Sequence, residues 1–465
     1  MKLGLAKVEP RVCSLQRDPY QALSMHQLSK DIPRLVSIGL SRDRRQLLQE
    51  SLRGIFHNDY AMRYLVPLLD AVVDGHVGAL DTVVPRGFDG LFLAALSDSI
   101  RERLKAPWHG RRLPVNADKG FDFLCLGCHE WGLIQTLNFL SRAACRPSRK
   151  LAMLTSIRSE GINLLEWIAY HRLAGVEHFF VYANDNEDDS DELLRTLERN
   201  GIITYIPNET VVRGVYQIQS KVFEHAIHFL PEIRDFEWVF FADPDEFLIL
   251  QSGTEACGTI TDYLDKVPAS DSTGALVSGV CWNWKWFNNE AVLKRSDQLN
   301  FERFKRSKPD RHVKTVARFR DVVGFGLSHK PRVMGGSILV NPVFQPVDLN
   351  SVGADPEYSV GQLNHYWSRS FEEFAAKHAR GRGDRDFSQF FVWGNQFMGT
   401  PDEVPEALIV RVRGEIERLI NLDGVELAHE IVRRAFDRWV CDANSRLNIG
   451  QLFEETKTAS TIKTV

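Results

Sequence analysis

The sequence predicts an α/β fold built on a mostly parallel sheet. Two observations carry that expectation. From about residue 150 onward, short apolar runs alternate with segments of helical periodicity, the pattern of strand–helix–strand units with right-handed crossovers. One of these runs, Trp238-Val239-Phe240-Phe241-Ala242, is apolar without alternation, as a strand covered on both faces must be, and it ends abruptly in Asp243-Pro244-Asp245-Glu246.

Taken in order, Leu151 to Ile157 reads as the first strand. A helix follows, with Asn163 as its cap and Glu166 completing a capping-box spacing. Leu164, Trp167, Ile168 and His171 recur along one face of it, and Gly175 supplies the left-handed stop. Val176 to Tyr182 is the second strand. An acidic loop, Asn184 to Asp191, leads to a helix over Glu192 to Arg199, ended by Asn200-Gly201. Ile202 to Ile206 is the third strand, Gln217 to Leu230 a helix, and Trp238 to Ala242 the fourth strand. Ala275 to Val280 reads as a further strand, followed by the dense aromatic patch Cys281 to Asn289. That patch fits either a sugar-binding platform or a core strand. Leu408, Val412, Ile416 and Ile420 place helix within residues 403–456, packing on the core or mediating self-association.

Asp243 and Asp245 are two apart, so an extended backbone points both to one side, and Pro244 biases Asp243 toward extension. Paired carboxylates past a strand's carboxyl end repel unless a cation lies between them. Hard oxygen donors there suit Mg²⁺ or Mn²⁺ carrying a phosphorylated substrate.

The bulk numbers bound the rest. A net charge of −4 argues against a general nucleic-acid binder. No apolar run approaches a membrane span, and Met1 to Lys30 lacks the core of a signal peptide, so the expected compartment is the cytoplasm. Seven irregularly spaced cysteines fit free thiols in a reducing compartment. Cys125-Leu126-Gly127-Cys128-His129 has the spacing of a haem attachment site, but its strongly apolar flanks favour buried structural cysteines. Residues 1–150 show helical stretches (Tyr60 to Val73, Phe88 to Leu104) and no recognisable chemistry.

Several motifs together resemble a known family. Glu160-x-x-x-x-Leu165-Glu166-Trp167-x-x-Tyr170-His171 with Gly175-Val176-x-His178-Phe179 is similar to the opening of family-two-like bacterial glycosyltransferases, and also to the domain-of-unknown-function-23 galactosyltransferases. Tyr182-x-Asn184 and Asp188 resemble the nucleotide-side loop, and Asp243-x-Asp245-Glu246-Phe247 the metal motif. Asn364-His365-Tyr366-x-x-Arg369-Ser370-x-Glu372-Glu373-Phe374-x-x-Lys377 with Arg380-Gly381 resembles the carboxyl-terminal signature. Ser159 and Ala183 depart from the pattern, at positions that line the nucleotide base in relatives.

The resemblance implies a GT-A catalytic domain over 151–385, between an amino-terminal accessory region (1–150) and a carboxyl-terminal helical region (386–465). It implies transfer of a sugar, with inversion, from a nucleotide-diphosphate sugar to a saccharide or lipid-linked acceptor. The setting would be surface polysaccharide or lipopolysaccharide assembly. Asp243, Asp245 and Glu246 are the catalytic candidates. A Mn²⁺ or Mg²⁺ ion would sit on Asp243 and Asp245, with a histidine, His329 or His365, as third ligand. Glu160, Asn184, Asp188 and Gln219 are donor-binding candidates.

Two basic runs, Arg303 to Arg332 and Arg369 to Arg385, suit phosphate clamps, contacts to an anionic acceptor, or peripheral contact at the inner membrane face. Lys314, Arg380 and Arg382 lead among them. Glu290 and Asp321 are both open as general base. The rival readings are a nucleotidyltransferase and a non-catalytic carbohydrate-binding protein.

Overall fold

The computed structural model describes residues 147–208, 219, 222–223, 226–227, 230–251, 258–327, 329–333, 336–379, 399–447, 450 and 453–454. The Cys125–Cys128 motif, the helices expected at 60–73 and 88–104, Arg380 and Arg382 lie outside these residues.

Four buried runs make the parallel half of the sheet: β1 (Arg149–Ile157), β2 (His178–Ala183), β3 (Ile203–Pro207) and β4 (Phe236–Phe241). They lie in the order β4-β1-β2-β3, with Met153 of β1 in register with Phe179 on one side and Phe240 on the other. All three of these side chains are fully buried, as both-face burial of an apolar strand requires. The chain moves outward from β1 to β3 and then returns to the other side of β1 for β4. The loops after β1 and β4 therefore flank a topological switch point, where ligands gather in open α/β sheets.

Beyond β4 the sheet is mixed rather than mostly parallel. β5 (Glu246–Leu250), β6 (Leu276–Phe287), β7 (Arg306–Arg318), β8 (Val322–Leu327), β9 (Lys330–Val333), β10 (Ser337–Val340), β11 (Pro346–Val347), β12 (Gly361–His365) and β13 (Thr400–Pro401) follow. β7 runs antiparallel to both β4 and β6, whereas β12 and β10 lie parallel to β6. Among the described residues eleven strands join in one sheet, and β8 and β9 pair separately. The aromatic patch is part of β6, not a loop after it. Trp282 is a fully buried core residue, while Trp284 and Trp286 lie further along the same strand.

The first helix, α1 (Gly161–Leu173), starts two residues before the expected Asn163 cap. Glu160 holds the cap position without a side-chain bond to the helix. Glu166 has no capping role: its carboxylate is buried and accepts from the backbone N–H (2.8 Å) and amide (2.9 Å) of Asn300. Gly175 ends the turn at φ +100°, and a Cβ there would lie 2.7 Å from Thr261 Oγ1, so the glycine is required twice over. Next come α2 (Ser190–Arg199), α3 (Ile260–Leu264), α4 (Asn300–Arg303), α5 (Phe371–Ala379), α6 (Glu406–Ile420) and α7 (Val425–Leu447). Of the helix expected at 217–230, Val222, Phe223, Ala226 and Ile227 are helical and buried under the sheet, with Phe223 against Phe241 and Phe325.

α6 packs on α1, and α7 packs on α2 and α1, so the carboxyl-terminal helices do cover the core. No helix among the described residues is long and apolar enough to cross a membrane.

Candidate active site

The loop after β4 is a turn. The carbonyl of Asp243 accepts the N–H of Glu246 at 3.1 Å, with Pro244 at the position where its fixed φ favours a tight turn. The two aspartates therefore do not sit side by side on an extended strand, as the sequence suggested. Asp243 is half-buried and Asp245 is buried, and each has its own cation.

Lys314 donates to Asp243 Oδ2 at 2.9 Å and lies 3.9 Å from Glu246 Oε1. The register explains how it gets there: β7 pairs Thr315 with Phe241, so Lys314 lies just past the end of β4. Gln219 donates to the other oxygen of Asp243. Lys377, from α5, donates to Asp245.

His365 reaches Asp245 through β12. That strand pairs antiparallel with β5 and sets His365 opposite Glu246, which leaves His365 Nε2 3.6 Å from Asp245 Oδ1. The next residue, Tyr366, donates its N–H to the Asp245 carbonyl at 2.9 Å. Arg369 then ties three distant motifs together, donating to Glu160 at 2.8 Å and to the carbonyl of Pro244 at 3.1 Å.

The electrostatics follow from burial and these partners. Burial works to raise the Asp245 carboxyl, but Lys377 and His365 hold it well below the usual carboxylate range. Glu246 is fully buried, and that burial pushes it well above its ordinary value against the pull of Lys314. Burial works to lower Lys314, yet Asp243 and Glu246 hold it above the ordinary lysine value. Ser159, Asp185, Asp189 and Arg369 all adopt positive φ (48°, 47°, 59° and 44°) in the loops around the switch point. Such conformations cost on the order of 1–3 kcal/mol each and concentrate at functional sites.

For a divalent ion the donor chemistry fits. Asp243 and Asp245 offer hard oxygens and His365 an imidazole, whose Nδ1 is buried with no hydrogen-bond partner among the described residues. No group of three or more such ligands is gathered as a ready cage among those residues, and each aspartate is held by a lysine. His329 lies on the Asp243 side. Its Nδ1 is 3.0 Å from the Val313 carbonyl, its ring packs on Trp284, and burial with Lys314 lowers its pKa to about 3. Of the two histidines, only His365 contacts an aspartate.

The remaining sequence candidates divide. Glu160 and Asp188 line a cavity beside the aspartates. Asn184 is an internal tie: it donates to Ser156 Oγ (2.6 Å) and the Ile157 carbonyl (3.0 Å) and accepts from Asn208. Asp321 is bonded to Ser278 beyond the end of β7 that pairs with the start of β4, the opposite edge of the sheet from Asp243. Glu290 accepts the backbone N–H of Lys305 at 2.9 Å, fifteen residues on. Lys377 and Arg369 stood in the motifs but were not singled out, because nothing in sequence shows which cation of a basic run a strand pairing will bring to the aspartates.

Comparison with known proteins agrees on the broad class. Residues 158–376 match the family model of glycosyltransferase family 92. A glycosyltransferase family 92 protein of Ricinus communis is 33% identical over 107 residues, covering 22% of this chain and 18% of that protein. One of Oryza sativa subsp. japonica is 31% identical over 106 residues (22% and 17%). One of Arabidopsis thaliana is 24% identical over 265 residues (55% and 41%). The chain thus spans less than half the length of these relatives. They are plant proteins of family 92, whereas the motifs resemble family-two-like bacterial enzymes; the glycosyltransferase class is common to both. Residues 158–376, just under half of the chain, are thus similar to a glycosyltransferase family 92 domain.

Proposed function

We propose that this chain is a glycosyltransferase of GT-A type that takes a sugar from a nucleotide-diphosphate donor held at the carboxyl edge of β1 and β4. The observation that carries the reading is the convergence at that edge. Asp243 and Asp245 sit at the switch point with Lys314, Arg369 and Lys377 around them, all but Lys377 within the stretch that matches the family 92 model and Lys377 directly after it. Three cations in a largely buried site suit the two charges of the donor's diphosphate and the third that develops as it leaves.

Asp243, Asp245 and His365 would hold a Mn²⁺ or Mg²⁺ ion, which when bound neutralises charge on the departing diphosphate. The chain's own groups do the rest. Lys314 and Lys377 bind phosphate oxygens as they leave the carboxylates, and Arg369 keeps the Asp245 turn in place through the Pro244 carbonyl. The acceptor is a saccharide or lipid-linked sugar, approaching past Trp284 and Trp286, and transfer proceeds with inversion.

Incubating the protein with sugar nucleotides and Mn²⁺ tests the reaction class by its product. A glycosyltransferase releases a nucleoside diphosphate. Release of pyrophosphate from a nucleoside triphosphate in a parallel incubation with a sugar 1-phosphate, with the sugar nucleotides left intact, would instead identify a nucleotidyltransferase, and glycan binding without any release would leave only a carbohydrate-binding role.

A further inference from the structure

Beside the aspartates lies a cavity of about 130 Å³, and part of its wall comes from outside the family domain. Glu160, Asp188, Arg369 and Lys377 are among its lining residues. Phe436 and Trp439 of α7 line it as well. The helix is seated firmly: a Cβ on Gly161 would lie 2.9 Å from Val432 Cγ1, and Arg438 pairs with Asp189 at 3.0 Å.

We infer that α7 supplies the aromatic wall of the donor's nucleoside pocket, so that Phe436 and Trp439 stack on the base. The inference rests on the glycosyltransferase reading above.

Several observations support it. The cavity is continuous with the Asp245 site through Lys377, which lines the cavity and donates to Asp245. Its size is right for one planar ring system, since a cavity of ~150 Å³ accepts benzene. Its charge is divided. The acids Glu160 and Asp188 disfavour phosphate but can accept from ribose hydroxyls and base N–H groups, whereas the lysines lie toward the aspartates. This orders the ligand, with base and ribose under α7 and diphosphate at Lys377 and Lys314. Arg369 is buried between the two halves, and its Nε has no hydrogen-bond partner among the described residues, leaving one donor for a ligand acceptor. The Phe436 and Trp439 rings, 6.4 Å apart and inclined by 35°, both line the cavity, and both remain only partly buried, which leaves aromatic surface for a ligand.

The test is calorimetric titration of the full chain with UDP, ADP, GDP, CDP and inorganic pyrophosphate, for wild type, Phe436→Ala, Trp439→Ala and Trp439→Phe. The inference expects one nucleoside diphosphate to bind wild type more tightly than pyrophosphate. Each alanine variant should lose about 10- to 100-fold for that nucleotide, the usual worth of one base–aromatic stack, with pyrophosphate unchanged. Trp439→Phe, which keeps an aromatic face, should stay within about threefold of wild type. Equal nucleotide affinity in wild type and both alanine variants would overturn the inference while leaving the donor-site reading intact. So would a parallel loss of pyrophosphate, which would point to general damage. If wild type binds none of the nucleotides, the donor-site reading fails, and this inference with it.

Discussion

Lys314→Met should lower folding stability by about 3–5 kcal/mol, measured as the shift in a chemical denaturation curve. The methionine fills much the same space, so packing is nearly conserved. What is lost is the only side-chain cation within 4 Å of Glu246 among the described residues, and one of the partners of Asp243. Glu246 is wholly buried and already pushed up by that burial, so without its cation it must either bear the desolvation cost of the charge or take up a proton. Adding Glu246→Gln to Lys314→Met removes the stranded carboxylate, so the double variant should recover about 1–3 kcal/mol relative to Lys314→Met alone. Additive destabilisation would show that Lys314 acts through packing and not through its charge.

Arg303→Met should cost a comparable ~3–5 kcal/mol, for the same reason in a different place. Arg303 of α4 makes a two-pronged bond to Glu373 of α5 (2.6 and 3.2 Å), and both side chains are almost fully buried. Burial works to raise the Glu373 carboxyl, but Arg303 holds it down to about 2. The sign for pH is then fixed. A carboxylate whose pKa is depressed in the folded state stabilises above its unfolded value of about 4.5, and that contribution fades as pH falls toward 2. The stability gap between wild type and Arg303→Met should accordingly narrow as pH falls below about 4.5. A gap independent of pH would mean that the pair's charge is irrelevant to the loss. Because α5 carries Lys377, loosening this pair should also weaken the hold on Asp245.

The parts of the fold that were legible in sequence are those where one local signal suffices. β1, β2, β3 and β4 were found from uninterrupted apolar runs, and the end of α1 from Gly175, a residue the backbone demands. At Asp243 the structure differs from the sequence expectation. An Asp-x-Asp spacing reads as extended, but Pro244 is equally at home at the second position of a turn, and the bond between Glu246 N–H and the Asp243 carbonyl closes that turn. The capping box at Asn163 and Glu166 failed because Asn300, 134 residues away, claims the Glu166 carboxylate. The site's lysines follow the same logic. Lys314 meets Asp243 across 71 residues through the β4–β7 register, and Lys377 meets Asp245 across 132. Histidine choice was open in sequence for the same reason, and the β5–β12 pairing is what puts His365, not His329, against an aspartate. Nothing local in Phe436 or Trp439 distinguishes them from other apolar residues of an amphipathic helix.

The most direct measurement is hydrolysis of a panel of nucleotide sugars with Mn²⁺, wild type beside Asp245→Asn, with both proteins checked for equal thermal midpoints. The account predicts that wild type releases nucleoside diphosphate from one donor class, and that Asp245→Asn does so slower by a factor on the order of 10² or more. An Asp245→Asn variant as fast as wild type, or a wild-type protein that turns over no donor and gains no thermal stability from any nucleotide, would contradict it.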